Sequence, residues 1–231
     1  MLLFKIAGIQ KTTLLDYPSK VATIVFTQGC NFRCGYCHNP ELLEQNKNTK
    51  ILLDSFISFL KTRQGKLDGV VITGGEPTLQ PELYDFILKI KELNFCVKLD
   101  TNGTNPEIIN KLLLNNLLDY IAMDIKAPLD KYRQITSVKV NLDNIKKSIN
   151  LILNSKIDYE FRTTVVKSQL SFEDFEKIGQ MINGAKTYIL QKFIYSKIYN
   201  RNLINEQTYS NEDFQTICKM LNKYVHYVSY R

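Results

Sequence analysis

The amino-acid sequence predicts an α/β protein folded as an open (β/α)6 partial barrel. Short apolar runs alternate along the chain with amphipathic stretches, which is the pattern of repeated strand–helix units. The runs are continuous, as expected of parallel strands that are buried on both faces. Six such units are seen, fewer than the eight that close a complete barrel. A flat, doubly wound sheet is the alternative architecture.

The strands of the predicted sheet are short apolar segments. They begin at Val21, Gly69, Phe95, Tyr120, Tyr159 and Tyr188. The N-terminal segment MLLFKIAGIQKTT is predicted to be an edge strand, and the segment YVHYVSY from Tyr224 is expected to add to the sheet edge. We expect a single domain over residues 1–231, with a strand lead over 1–20, a core over about 21–195 and a C-terminal helix and strand over about 196–231.

Helices are predicted between the strands from apolar spacing and capping residues. The stretch from Pro81 to Leu93 carries its apolar residues on one helical face. Asn105-Pro106-Glu107 is typical of a helix start, and Ser171 with Asp174 is typical of a capping box. Further helices are expected near 51–63, 142–154 and 211–223, whereas the Asn- and Lys-rich stretch 45–50 is expected to be a polar loop.

Composition narrows the functional classes. No apolar run approaches the ~20 residues of a membrane helix, and the N-terminus does not resemble a signal peptide, so we expect a cytoplasmic protein without a membrane partner. The net charge of +7 fits either a nucleic-acid or acidic-protein partner, or lysines solvated on helix faces. The lysines are scattered, which favours solvated lysines, and no nucleic-acid partner is expected.

Polar motifs follow four successive predicted strands. They are Cys30–Cys37, Gly74–Pro77, Asp100–Gly103, and Asp124 with Lys126. All lie at the carboxyl ends of strands, where α/β folds place their active sites. We therefore expect these motifs to form one active site.

Three of the five cysteines share one loop at C-x3-C-x2-C spacing: Cys30, Cys34 and Cys37. Zinc normally takes four ligands, commonly as two separated pairs, and no second pair is present. His38 directly follows Cys37, which makes a Cys3His zinc site awkward. Cys96 and Cys218 are interpreted as small buried hydrophobic residues.

A [4Fe–4S] cluster ordinarily has four cysteine ligands, so three would leave one iron open to a ligand outside the protein. Gly29 and Gly35 allow the backbone to fold closely around such a bulky group. In a cytosolic protein, a thiol cluster is typical of metal or redox chemistry rather than of disulfides.

At these residues the sequence resembles the radical S-adenosylmethionine (SAM) superfamily, through the three cysteines, the aromatic Tyr36 before the last of them, and the G-G-E-P turn. The resemblance runs from Ile24 through the strand at Tyr188. The segments GCNFRCGYCHNPEL, TGGEPTLQ, LDTNG and MDIK together resemble glycyl-radical-enzyme activases. The lead AGIQKTTLLDYPSKVATIVFTQGC is most similar to the longer anaerobic ribonucleoside-triphosphate reductase activating proteins. The better-defined reductase activases are smaller than this chain, and the insert with extra cluster cysteines that some activases carry is absent from it.

The resemblance implies roles for individual residues. Cys30, Cys34 and Cys37 would bind the [4Fe–4S] cluster, whose open iron chelates the amino and carboxylate groups of SAM. Tyr36 would lie against the adenine of SAM, and the methionyl ammonium would be bound by Gly74, Gly75 and Glu76. A monovalent cation would be held by Asp100, Thr101 and Asp124. The other residues expected near the cofactors are Asn102, Lys126 and Arg162. Without the cysteines, a plain glycine turn and a core aromatic would be preferred for Gly74-Gly75 and Tyr36. Strand-end capping for Asp100 and Asp124, and a buried ion pair for Arg162, also remain open.

The same resemblance implies a reaction. One electron from a flavodoxin- or ferredoxin-type donor would cleave SAM to methionine and a 5′-deoxyadenosyl radical, which takes hydrogen from a glycine of a partner, anaerobic ribonucleoside-triphosphate reductase. The glycine turn is expected to serve SAM rather than the fold. Two alternatives remain: a radical SAM enzyme acting on a small molecule such as a deazapurine or nucleoside precursor, and a zinc-binding structural or nucleic-acid module.

Overall fold

A computed structural model describes residues 4–44, 51–195 and 199–231 of the chain. Eight strands form one sheet: β1 (Ile6–Thr13), β2 (Ala22–Thr27), β3 (Gly69–Gly74), β4 (Cys96–Thr101), β5 (Tyr120–Asp124), β6 (Asp158–Val165), β7 (Thr187–Lys192) and β8 (Tyr227–Tyr230). The predicted polar loop 45–50 lies outside the described residues.

The strand order in the sheet follows the order in the chain, from β1 to β8. A doubly wound sheet would reverse its order at a switch point, so that alternative is wrong. β2 pairs in parallel with β3, and β3 with β4, in a register that places Ile24 opposite Val71 and Val71 opposite Lys98. β6, β7 and β8 are also successively parallel. The sheet is thus of the parallel α/β kind that the apolar runs predict.

The two outer strands confirm both edge predictions. β1 pairs with β2 in the antiparallel direction, with Ile9 opposite Val25. β8 pairs with β7, with Tyr188 opposite Val228. The six inner strands match the six predicted apolar runs to within a residue or two, because each run is long enough for one buried strand and too short for a helix.

Seven helices lie in the described part of the chain: α1 (Leu53–Lys61), α2 (Leu83–Glu92), α3 (Pro106–Leu114), α4 (Tyr132–Thr136), α5 (Leu142–Leu153), α6 (Phe172–Met181) and α7 (Asn211–Leu221). α3 begins with Pro106 at its first position, as predicted. The capping box predicted at Ser171 is present, and Ser210 forms a second one with Asp213. The sequence analysis missed α4, because a single helical turn is too short to show an apolar period.

Two compact units can be distinguished within the chain by their internal contacts. The first comprises Met1–Asn31, Glu41–Thr101 and Glu107–Ile121, and the second comprises Phe32–Pro40, Asn102–Pro106 and Ala122–Arg231. The chain passes between them repeatedly, so they are not consecutive domains. The expectation of a single domain over 1–231 stays a prediction.

An apolar cluster occupies one face of the strands in the first unit. Tyr17, Ala22, Ile24 and Val71 form its buried centre, and Phe26, Cys96 and Tyr120 pack against it. Cys96 therefore packs as a small hydrophobic residue, but it is half-buried rather than buried as predicted. No helix among the described residues is long and apolar enough to cross a membrane.

Candidate active site

The loop after β2 begins in the first unit with Gly29 and Cys30. The Gly29 N–H donates to the Leu42 carbonyl at 2.8 Å, and the Cys30 N–H donates to the Leu43 carbonyl at 3.1 Å. Gly29 has φ of +92°, a conformation that side chains other than glycine rarely adopt. The half-buried Cys30 thus follows a turn whose backbone is fixed on both sides.

The glycine turn after β3 packs directly against this backbone. A Cβ on Gly74, whose φ is +109°, would lie 2.5 Å from Thr27 N, and a Cβ on Gly75 would lie 2.2 Å from Gly29 O. Both distances are far below van der Waals contact, so no side chain fits at either position. The turn is therefore not dispensable for the fold, contrary to the expectation: its glycines are needed for it to approach the residue before Cys30. A role of the turn toward SAM stays a prediction.

Glu76 fixes the same turn to the end of β4. Its side-chain Oε1 accepts hydrogen bonds from Thr78 N at 3.1 Å, Thr78 Oγ1 at 2.6 Å and Thr101 Oγ1 at 2.7 Å. The residue is 1% exposed, so these bonds offset the cost of burying a carboxylate. Its assignment to the methionyl ammonium stays a prediction.

Asp100, on β4, carries a counterion from its own strand. Lys98 Nζ donates to Asp100 Oδ1 at 2.7 Å and lies 5.7 Å from the centroid of the Tyr120 ring. The sequence analysis did not identify Lys98. A lysine two residues before an aspartate in an apolar strand was the available signal, since residues i and i+2 share a face of a strand.

The second unit contains the rest of the cysteine loop. Cys34 is buried and Cys37 is half-buried, and the Cys37 N–H donates to the Cys34 carbonyl at 3.0 Å. The segment after β7 packs on this loop: Tyr199 N donates to Cys37 O at 3.0 Å, and Asn200 N donates to Gly35 O at 2.9 Å. No sequence motif predicts this contact, because it is made by backbone groups that any residue carries.

The side chains around Cys34 control its protonation. Burial raises the pKa of the Cys34 thiol to about 11, and the positive charge of Lys126 offsets only part of this shift. The Cys34 thiol therefore holds its proton near neutral pH.

Tyr36 contributes an unsatisfied polar atom. The residue is buried, and its hydroxyl has no hydrogen-bond partner among the described residues. Lys126 Nζ lies 6.0 Å from the centroid of its ring. A core aromatic explains the buried ring, but buried hydroxyls are normally hydrogen-bonded, so a polar ligand atom is the better explanation of this one.

Asp124, Lys126 and Arg162 form a partly buried ion cluster between the end of β5 and the middle of β6. Arg162 Nε donates to Asp124 Oδ1 at 2.8 Å, and Lys126 Nζ donates to Asp124 Oδ2 at 3.0 Å. Burial alone would raise the pKa of Asp124, but the two cations outweigh it and hold the pKa well below its ordinary range. The alternative reading of Arg162 as a buried ion pair is thus confirmed.

Asn102 shapes the chain after β4. Its Oδ1 accepts from Thr104 N at 3.1 Å and from Thr104 Oγ1 at 2.7 Å, which closes a short turn. Gly103 has φ of +76°, and a Cβ there would lie 2.0 Å from Met123 Cε. These contacts explain the Asn-Gly pair by local geometry, and a role of Asn102 toward SAM stays a prediction.

The donor set fits an iron–sulfur cluster better than a single metal ion. No three His, Cys, Asp or Glu side chains converge on one point in the part of the chain that the structure describes. Ligands of a cluster bind different irons, so their sulfurs do not have to converge in this way. Three soft thiol donors on one short loop, which also carries an unsatisfied tyrosine hydroxyl, fit a cluster together with a polar ligand.

Comparison with known proteins agrees with this chemistry. The chain matches the Radical SAM superfamily over residues 24–182. It is 34% identical over 227 residues to a Methanocaldococcus jannaschii protein assigned to the glycyl-radical enzyme activating enzymes, covering 95% of this chain and 92% of that one. It is 32% identical over 194 residues to the pyruvate formate-lyase-activating enzyme of Clostridium pasteurianum, covering 80% and 79% of the two chains.

Among solved structures, Streptococcus suis SuiB bound to S-adenosylmethionine matches with a TM-score of 0.69. It is 14% identical and the match covers 88% of this chain and 48% of that chain, so the likeness concerns the fold alone.

The fold and the site define an enzyme that uses an iron–sulfur cluster and SAM, and the chain belongs to the Radical SAM superfamily. Within it, the chain groups with the glycyl-radical enzyme activating enzymes. The predicted family, the open partial barrel and the two cofactors, a [4Fe–4S] cluster and SAM, are confirmed. The assignment of individual residues to these cofactors stays a prediction.

Proposed function

We propose that this enzyme generates a glycyl radical on anaerobic ribonucleoside-triphosphate reductase. The observation that carries the proposal is the similarity to a glycyl-radical enzyme activating enzyme over 95% of the chain. That lead forms β1 and is the segment most similar to the longer reductase activating proteins. The proposed setting is the cytoplasm, where thiols stay reduced.

The chain's own residues would act on the cofactors in separate ways. Cys30, Cys34 and Cys37 would hold the cluster. When bound, the cluster and SAM together supply a one-electron reduction and a reactive centre that can take a hydrogen atom. Lys126 would place a positive charge beside Cys34 and Tyr36, where its position is fixed by Asp124.

A protein substrate is favoured over a small one by two features. The strand order ends at β1 and β8, which suits an open barrel that can admit a peptide loop, whereas a small substrate needs an enclosed pocket. The only cysteines outside the loop are Cys96 and Cys218, so the sequence offers no ligands for an auxiliary cluster. A flavodoxin- or ferredoxin-type protein is the proposed electron donor.

The test uses the reconstituted protein, reduced with dithionite in place of the natural donor. It is mixed anaerobically with SAM and the purified reductase, and the EPR spectrum is recorded. We expect a glycyl-radical doublet on the reductase that requires SAM. Turnover of a small metabolite, with no radical on any glycyl-radical enzyme encoded beside this protein, would contradict the proposal and favour the small-molecule alternative.

Cysteine variants provide the matched controls. Cys30→Ala, Cys34→Ala and Cys37→Ala should each lose the cluster iron and sulfide, and with them the doublet. Cys96→Ala and Cys218→Ala should keep both, because these residues lie on β4 and α7 outside the loop. Wild-type iron content in Cys34→Ala would contradict the ligand assignment.

A further inference from the structure

A buried ion pair on β4 lies within the residues that the family resemblance assigns to a monovalent cation. Lys98 Nζ donates to Asp100 Oδ1 at 2.7 Å, and the lysine side chain is 2% exposed. Strand alternation places Cys96, Lys98 and Asp100 on one face of β4. This is the face on which Cys96 and Tyr120 pack against the apolar cluster. The Lys98 side chain therefore contacts Asp100 on an apolar face of the strand.

An ammonium in such surroundings is costly unless a charge partner compensates it. Asp100, whose side chain is 14% exposed, supplies that partner at the end of the strand. The Tyr120 ring, with its centroid 5.7 Å from Nζ, adds a favourable cation–π contact. The lysine is thus held in one place by a carboxylate and a ring.

The donor set does not fit an additional monovalent metal cation. Asp100 already pairs with Lys98, and Asp124 pairs with Arg162 at 2.8 Å and Lys126 at 3.0 Å. A metal cation beside either carboxylate would face a fixed positive charge on the same group, and like charges ~4 Å apart repel strongly when partly buried.

We infer that Lys98 is the built-in counterion of Asp100 and takes the place of a monovalent metal cation at that carboxylate. Lys98 is then a positioning residue, which neutralises and orients Asp100. The consequence for SAM rests on the proposed function, because it assumes that Asp100 lies at the SAM site. It is that the enzyme binds SAM without potassium or sodium.

The first test measures SAM affinity of the reconstituted wild-type enzyme by equilibrium dialysis. Buffers contain either potassium or N-methyl-D-glucamine as the monovalent cation, at constant pH and ionic strength. We expect the two dissociation constants to agree within about twofold. A loss of affinity of about tenfold or more without potassium or sodium would overturn the inference.

The second test measures the thermal midpoint of the same reconstituted protein without SAM. The wild-type midpoint should not depend on the choice of cation. Lys98→Met should have a lower midpoint, and potassium or sodium should raise it relative to N-methyl-D-glucamine, since a small cation can then take the place that the lysine ammonium leaves beside Asp100. If Lys98 had only a structural role, the thermal midpoint of Lys98→Met would be lower, but potassium or sodium would not raise it.

Lys91→Met is the matched control. Lys91 pairs with Asp119 at 2.8 Å, but its side chain and that of its partner are 27% and 34% exposed. Water can solvate the remaining carboxylate there, so no cation effect is expected. If Lys98→Met does not fold, the double variant Lys98→Met with Asp100→Asn is measured instead. It should fold, and its thermal midpoint should not depend on the cation in the buffer. A double variant that is no more stable than Lys98→Met would overturn the inference.

The thermal test uses neither SAM nor a partner protein. Failure to form a glycyl radical would therefore count against the proposed function and leave the counterion assignment to be decided by the thermal midpoints.

Discussion

Gly75 lies where two backbone segments approach more closely than any side chain allows. The Gly75 N–H donates to Thr27 O at 2.9 Å, and the next residue, Glu76, donates its N–H to Gly29 O at 2.8 Å. The turn after β3 and the residue before Cys30 are thereby fixed to each other within the first unit. A change at Gly75 acts on the cysteine loop through Gly29.

Gly75→Ala should reduce both stability and cluster content. Its Cβ would lie 2.2 Å from Gly29 O, and backbone has to move to accept it. Such overpacking typically costs about 1–3 kcal/mol of the free energy of unfolding. Urea denaturation measures the stability, and iron and sulfide analysis after anaerobic reconstitution measures the cluster.

Gly8→Ala is the control for this prediction, because its Cβ would make only an ordinary contact, 3.7 Å from Phe26 Cδ2. It should change neither quantity appreciably. Cluster content equal to wild type in Gly75→Ala would show that the close approach to Gly29 is not required by the cysteine loop.

At the scale of single elements, α6 depends on one buried carboxylate. Asp174 Oδ2 accepts from Ser171 N at 2.7 Å, from Ser171 Oγ at 3.0 Å and from Lys131 Nζ at 2.6 Å. Burial alone would raise the pKa of Asp174, but the hydrogen bonds from Lys131 and Ser171 lower it below its ordinary value. The carboxylate therefore both caps the helix and connects it to the segment before α4.

Asp174→Asn should lower the free energy of unfolding by about 1–3 kcal/mol near neutral pH, through loss of the ion pair and of the capping box. Because the folded pKa is lowered, the carboxylate stabilises the protein above its unfolded pKa, near 4, and this contribution is lost as the pH falls through the folded pKa. The difference between wild type and variant should therefore shrink in acid, which urea denaturation over a pH series measures.

The matched control is Asp213→Asn on α7. Asp213 occupies the same position of a capping box, is half-buried, and accepts from Ser210 N at 3.2 Å. No lysine pairs with it among the ion pairs of the described residues, so its loss should cost about 1 kcal/mol or less. Equal losses in the two variants would mean that Lys131 contributes nothing to the stability of α6.

At the scale of the whole molecule, the net charge of +7 is spread over many lysines. Many of the lysines are held in local ion pairs, such as those of Lys131, Lys177 and Lys223 with carboxylates. Paired and scattered charges produce a weak field at a distance, and salt screens it over about 10 Å at 0.1 M. Charge should therefore assist partner docking only modestly.

The rate of glycyl-radical formation on the partner should fall by less than about tenfold between about 0.05 and 0.5 M potassium chloride. SAM cleavage without the partner, measured at the same salt concentrations, separates docking from effects on the enzyme itself. A fall of about a hundredfold in radical formation alone would instead indicate a concentrated basic docking surface.

The sequence by itself determined the sheet and the chemical class of the site. Continuous apolar runs predicted the six inner strands, because a strand buried on both faces has no polar side to alternate. The spacing of Cys30, Cys34 and Cys37 predicted the cluster, because one short loop brings three thiols together whatever the rest of the chain does. Ser171 and Asp174 predicted the start of α6 because a capping box is local.

Only the tertiary structure decided which groups pair across these elements. The approach of Gly75 to Gly29 and of Tyr199 to Cys37 joins residues far apart in the chain through backbone atoms, which leave no signature in side-chain type. The pairing of Asp124 with Arg162 needs two neighbouring strands in register. Lys98 is the clearest example of what the sequence could not predict. A lysine is ordinarily expected on the surface, and only its burial on an apolar face of β4 makes it the counterion of Asp100.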